Sequence, residues 1–305
     1  MFELMRGRVV SATAGKDSAF VLRFNQAFTL MLLAVPFGAV IFAIVLLVVN
    51  PPGVMDLALL ASFFFATALG ISVGFHRLIT HGAFKTNPVV KAVLLIFGTW
   101  AIQGAAITWA SIHSKHHALS DDEGDPHTPV KSFWKGHMGW LFTTLRGEPE
   151  QYAQSQLKDP MVMFFSRTAL WWAILGLVLP GLIGAGFLGW SWTGFLWGGL
   201  VRLFLVHHAT WGVNSVCHTF GSRPFDAGGK DVSTNHWIFG LLASGEGWHN
   251  NHHAFPRSAF IGLRWREVDL GGYVIRLMRL VGLARDVNSP SKQDIEAKRR
   301  APVAT

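Results

Sequence analysis

Nine histidines of this chain fall into spaced groups. The densest stretch, Gly245-Glu-Gly-Trp-His-Asn-Asn-His-His-Ala-Phe-Pro256, sets His249, His252 and His253 within five residues. On a helix these are positions i, i+3 and i+4, so the three imidazoles leave one face. His113, His116 and His117 repeat the spacing, His76 pairs with His81, and Asn214 pairs with His218. The chemistry is metal binding. One first-row metal takes at most about six ligands, and a catalytic zinc typically takes three from the protein. Nine candidate nitrogens therefore imply two ions. Imidazoles of ordinary pKa are largely neutral at pH 7, so they bind without the proton loss that thiolates require. Imidazole suits iron, copper and zinc alike, which leaves the metal open. Cys217 is the single cysteine, which excludes an intramolecular disulfide and cysteine-ligated zinc or iron–sulfur sites.

The pairs differ in how easily a helix serves them. The two His-x-x-His-His sets and the Asn214/His218 pair each line one helical face. His76 and His81 are i, i+5, about 140° apart on an α-helix. They converge only if the helix ends or bulges there, and Gly74 and Gly82 favour an end. Asp121, Asp122, Asp125 and Glu246 sit beside the groups, placed either to orient imidazoles or to be ordinary solvated acids. His127, His137, His207, His208 and His236 lie outside the spacing and read as core or surface histidines, with supporting roles open to them.

The scaffold that must gather these groups is a membrane protein. Half of the 305 residues are hydrophobic and only 14% are charged, with 13 Trp and 24 Phe; soluble domains carry about 25% charged residues. Uncharged runs predict spans near 27–49, 57–75, 168–186 and 193–213, each close to the roughly 20 residues that cross a bilayer. Pro36 is expected to kink the first. The turn between the last two falls at Gly186–Trp192, and Arg202 then sits inside the fourth span, where a charge marks pairing or function unless it snorkels. Residues 92–112 are also uncharged. A span there would separate His76 and His81 from His113, His116 and His117, so the segment must dip and return or lie along the interface.

Charge orients the scheme. The connections 50–56 and 187–192 contain no Lys or Arg, whereas all 26 Lys and Arg except Arg202 fall on the side with the termini and the histidines. By the positive-inside rule that side is cytoplasmic. The net charge of +8 then faces the inner membrane surface, and no stripe of basic and stacking aromatic residues points to nucleic acid. The predicted fold is an all-α integral membrane protein: four transmembrane helices and a cytosolic helical cap carrying a histidine-ligated dimetal site. Residues 1–26 are a cytosolic segment rather than a signal peptide. Residues 27–287 form the main domain, with the cap at 76–167 and 214–287. Segment 269–285 reads as an amphipathic interfacial or surface helix, and 288–305 as a mobile tail.

The motifs His76-Arg-Leu-Ile-Thr-His81, His113-Ser-Lys-His-His117 and His249-Asn-Asn-His-His253 resemble the three histidine boxes of membrane fatty-acid desaturases. Asn214-Ser-Val-Cys-His218 resembles their Asn-x-x-x-His element. The flanks Glu123-Gly-Asp-Pro-His127, Gly136-His-Met-Gly-Trp140 and Gly245-Glu-Gly-Trp248 match as well, over about 70–286. The likeness is greatest to the Δ9 branch of stearoyl-CoA and bacterial acyl-lipid desaturases. It implies two iron ions held by His76, His81, His113, His116, His117, His218, His249, His252 and His253, with Asn214 reaching iron through water. It implies O2 as co-substrate, two external electrons, and an acyl tunnel bending past Trp109 and Thr210. Ser111 and Ile112 stand where animal enzymes hold CoA with charged residues, which leaves the acyl carrier open between CoA and a lipid. No His-Pro-Gly-Gly haem motif is present, so the donor is expected to be a separate ferredoxin-like or cytochrome b5-like protein with its reductase. A di-iron hydroxylase shares this ligand plan and differs in product. A histidine-rich metal transporter would place ligands near the membrane midplane, not at span ends.

Overall fold

The computed structural model describes residues 19–143 and 147–300, so the positions of Arg6, Arg8 and Lys16 and of residues 301–305 lie outside the described part. The first helix, α1 (Ala19–Val49), contains Pro36 and carries no charged residue after Arg23. It leads through Asn50-Pro51-Pro52-Gly53 into α2 (Val54–Leu69), which Asp56 caps by accepting the Gly53 N–H. Many of their large apolar side chains face outward, including Val48, Val49, Leu30 and Phe42. An outward apolar face on a helix of this length is matched to lipid.

The second helix does not stop at the histidines. It continues as a π-helix (Gly70–Thr80). The His81 N–H bonds to the His76 carbonyl at 3.0 Å, the i→i+5 link of that geometry. A turn that closes over five residues brings positions 76 and 81 to one face. The bulge and the helix end, with His81 as C-cap and Gly82 at φ +56, together resolve their poor α-helical spacing.

The uncharged stretch 92–112 dips and returns. Helix α3 (Pro88–Thr99) stops at Trp100, the backbone reverses through Ile102 and Gly104 at positive φ, and α4 (Ala106–Ala118) carries the second histidine box. Backbone contact holds α3 to the π-helix: a Cβ on Gly70 would lie 2.1 Å from the Gly98 nitrogen. β1 (Lys85–Thr86) pairs antiparallel with β2 (Ala284–Arg285) and ties the chain's two ends of the cap together.

Among the described residues, two helices are long and apolar enough to cross a membrane, Arg23–Val49 and Val54–Thr80. Helices α6 (Pro160–Arg167) and α7 (Ala169–Gly184), bent by 63°, make a third if taken as one span. After the turn at Gly186 and Phe187, the segment expected as a fourth span is helical from Trp192 to Val216, as a short helix, a second π-helix (Phe195–Val201) and α8 (Arg202–Val216). It does not meet the same standard, and Arg202, His207 and His208 explain its lower apolarity.

Arg202 neither snorkels nor pairs with an acid. Its guanidinium is fully buried and donates to the carbonyls of Gly198, Trp100 and Gly176 and to Thr67 Oγ1. One planar cation thus joins α2, α7, the end of α3 and its own helix. The expected mobile tail is docked as far as residue 300. Ser291 and Asp294 form a capping box on a short helix (Lys292–Ala297), Lys298 Nζ donates to the Ala254 carbonyl at 2.7 Å, and Arg300 N–H bonds to the Pro224 carbonyl. Of the basic run in this segment, Lys298 and Arg300 bind carbonyls of the cap, and Arg299 pairs with Glu296.

Candidate metal centre

Four segments converge. The π-helix and its C-cap supply His76 and His81, α4 supplies His113, His116 and His117, α8 and the turn after it supply Asn214 and His218, and α10 (His249–Ala254) supplies His249, His252 and His253. The entry to α10 is built by Gly245 at φ +107, where a Cβ would strike the Asp269 carboxylate at 2.1 Å.

The nine histidines divide into two sets. In the first, one ring nitrogen from each of His76, His81, His113, His117 and His252 lies within 4.8 Å of all the others; in the second, the same holds for His116, His218, His249 and His253. Boxes two and three feed both sets, because neighbouring residues on a helix project about 100° apart. His116 and His117 therefore part company, as do His252 and His253.

The donor atoms fit cations. In the first set Nε2 faces Nε2 throughout: His76 to His252 at 2.9 Å, His252 to His117 at 2.8 Å, His117 to His113 at 3.1 Å and His81 to His113 at 3.0 Å. A neutral imidazole has one N–H and one lone pair. A single Nε2 cannot satisfy two such neighbours, so several lone pairs point at a common centre. In the second set His249 faces His218 at 3.0 Å, while His116 Nε2 and His253 Nε2 are buried with no partner. Nitrogens about 2.1 Å from one ion lie within about 4.2 Å of each other, close to the observed spread.

Carboxylates fix the tautomers from behind. Nδ1 of His76 lies 2.6 Å from Glu246, that of His116 3.0 Å from Asp125, that of His218 2.7 Å from Asp121 and that of His253 2.5 Å from Asp231. A carboxylate accepting at Nδ1 leaves Nε2 as the ligand atom. Three of these four pairs support the second set. The remaining one, Glu246, is shared with Arg77 and Ser72, and Arg77 in turn forks onto Asp269 at 2.8 and 3.1 Å. Asp122 takes no part; it pairs with Lys230 at the surface. Asp231, Arg77, Ser72 and Asp269 carried no spacing signal, because each meets its histidine or its carboxylate partner only through the fold.

Electrostatics follow this division. Burial, reinforced by neighbouring imidazoles, pushes His81, His113, His117, His249, His252 and His253 well below the usual histidine value. Burial opposes charge on Asp125 and His116 too, but their pairing wins: His116 is raised and Asp125 is held below the carboxylate range. Burial alone would raise Glu246 and Asp121; contact with His76 and with the Arg77 guanidinium holds Glu246 down, and the His218 bond holds Asp121 down. His127 joins His116 and Asp125 in a third buried group, and burial lowers it to about 3. His207 binds the Ala101 carbonyl and His137 lies 3.0 Å from His208, away from both sets.

A partly open cavity reaches the first set at His76 and His113 and the second at His249. Trp109, Thr210 and Asn214 line it as well. The Trp109 ring stacks on His113 with centroids 4.9 Å apart, and Thr210 Oγ1 bonds to the Val206 carbonyl of its own helix. The other walls are largely apolar, including Phe64, Ile71 and Val206. The arrangement could hold two cations beside a largely apolar cavity.

A family model described as fatty acid desaturase matches residues 56–270. The chain is 36% identical over 282 residues to hex-5-enoyl-[acyl-carrier protein] acetylenase of Moorena producens, covering 88% of this chain and 87% of that protein. It is 40% identical over 228 residues to sn-1 stearoyl-lipid 9-desaturase of Anabaena variabilis (74% and 80%). It is 38% identical over 229 residues to acyl-CoA C20 Delta5-desaturase of Anemone leveillei (73% and 70%).

Proposed function

The chain belongs to the fatty acid desaturase family and is an oxygen-dependent fatty-acyl desaturase; we propose that it introduces a cis double bond at Δ9 into a saturated acyl chain carried on CoA or a lipid. The observation that carries this reading is the meeting of two all-histidine sets with one apolar cavity. The nine histidines would hold two irons, which would supply the oxidising chemistry, and Asn214 lies at the cavity wall where it could support one of them. The reaction takes two hydrogens from adjacent methylenes: –CH2–CH2– + O2 + 2e⁻ + 2H⁺ → –CH=CH– + 2H2O. Bound iron supplies the oxidising power that side chains lack.

The protein's own part is placement. Trp109, packed on His113, and Thr210, across the cavity on α8, fix the bend of the acyl chain and so the methylenes presented. Glu246, Asp125, Asp121 and Asp231 hold the imidazoles in register. The surrounding apolar wall excludes water. The helical segment 192–216 completes a four-span bundle, with domain limits 27–287 and both termini and the site on the cytoplasmic side, as the distribution of Lys and Arg supports. A separate ferredoxin-like or cytochrome b5-like protein delivers the electrons.

The acetylenase relative favours a second reading, in which the substrate already carries a double bond and leaves with a triple bond. Gas chromatography–mass spectrometry of total fatty acids from a host lacking its own desaturase tests both. A new cis-monoene with its double bond at carbon 9 supports the first reading, an alkyne only on feeding an alkene supports the second, and a hydroxy acid contradicts both.

A further inference from the structure

The mouth of the cavity bears on what carries the acyl chain. Leu242 is 46% exposed, whereas the other lining residues are buried or half-buried, so the cavity meets the outside beside it. Leu242 ends a short helix, α9 (Trp237–Leu242). One face of α9 is fixed to α8: the Phe239 ring fills the space over Gly212, where a Cβ would sit 1.9 Å from it. The opposite face presents Trp237, Ile238 and Leu241, all exposed. No Lys, Arg, Asp or Glu occurs between Asp231 and Glu246. Glu246 is the one such residue lining the cavity, and it is turned onto His76, Ser72 and Arg77.

Across α8, α5 (Phe133–His137) exposes Phe133 and Trp134 beside Lys131, and Phe133 meets Phe220 at the end of α8 with centroids 6.4 Å apart. Aromatic rings with nearby lysine are the composition of a membrane–water interface. Helix α9 packs through Phe239 on the same helix, α8, and its exposed apolar face adjoins the cavity at Leu242.

Carrier chemistry separates the alternatives. Acyl-CoA brings several phosphates that need basic side chains at the mouth. An acyl-carrier protein brings an acidic surface with the same need. The described lining and α9 provide none. A glycerolipid leaves its headgroup among its neighbours in the membrane surface and requires only an apolar passage for one acyl chain. We propose that the acyl chain enters sideways from a membrane glycerolipid, passing Leu242 and α9. This rests on the desaturase reading above and selects the substrate within it.

The test has two arms on the full-length protein in vesicles of phosphatidylcholine and phosphatidylglycerol. In the first, Leu241→Cys is labelled with an environment-sensitive fluorophore, which is selective because the single native thiol, Cys217, is buried. Quenching by doxyl-labelled lipid is expected; quenching by aqueous iodide alone would overturn the proposal. In the second, chemically reduced ferredoxin and O2 are supplied with stearoyl chains on phosphatidylglycerol, on CoA or on acyl-carrier protein, without acyltransferase. Conversion of the lipid at least tenfold faster than either soluble carrier is expected, and Leu242→Arg should lower it about tenfold. Equal or faster conversion of a soluble carrier would overturn the proposal while leaving the desaturase reading intact. Lipid-facing label with no oxidation of any carrier would support the mouth and count against that reading.

Discussion

Glu246 Oε2 lies 2.6 Å from His76 Nδ1, and the same carboxylate takes Arg77 Nη2 at 3.2 Å and the Ser72 hydroxyl at 2.5 Å. A ligand histidine of the first box is therefore aimed by a residue that precedes the third. Glu246→Gln keeps the shape and removes the charge. Loss of such a partner typically costs roughly 10–100-fold in metal affinity or activity. Metal content by mass spectrometry should fall, with activity in that range; unchanged metal and activity would remove Glu246 from the site.

The second set relies on carboxylates more heavily than the first. Asp231→Asn weakens the support of His253 without touching any residue of the first set. The stoichiometry of bound metal should drop from two toward one. Asp122→Asn, altering only the surface pair with Lys230, should leave it at two. Equal effects of the two changes would contradict the assignment.

Arg202 is held by three carbonyls and a hydroxyl. Arg202→Met strands these acceptors in the interior at a cost of about 3 kcal/mol or more. Lys restores charge but not the planar fork, so Arg202→Lys should rescue little. Thermal aggregation in detergent reads the loss, and a melting point within 2 °C, a shift of roughly 1 kcal/mol or less, would show that the clamp is dispensable.

Acid should destabilise the metal-free protein. Burial keeps His81, His113, His117, His249, His252 and His253 neutral in the fold, whereas the unfolded chain takes protons at these residues near pH 6.5. The unfolded state then binds more protons, so stability falls as pH drops through that value. Denaturation of chelator-treated protein at pH 7.5 and 5.5 should show the lower midpoint at 5.5. A flat profile would contradict neutral burial of the set.

The histidines were legible in the sequence because helical spacing is local: boxes two and three announce themselves by spacing, although the structure divides each box between the two sets. His76 and His81 were legible as residues but not as geometry, since an i→i+5 turn has no signature in composition. Asp231, Arg77 and Asp269 stayed hidden because the contacts that define their roles are made only when distant segments fold together. Arg202 looked like a membrane charge in search of an acid, and its actual partners, backbone carbonyls, are invisible to residue type. Its presence, with His207 and His208, also makes 193–213 the least apolar of the expected spans. The tail past residue 288 misled through its charge, part of which here serves carbonyls of the cap.

Iron analysis of the purified, reconstituted protein, combined with Mössbauer spectroscopy, tests the two-ion site most directly. Two irons per chain in nitrogen-rich environments are expected, and His252→Ala, which removes a nitrogen shared by two close contacts of the first set, should retain fewer and make no double bond while still inserting in the membrane. A single iron per chain in the fully loaded, active enzyme, or full iron and activity in His252→Ala, would contradict the division of nine histidines between two ions.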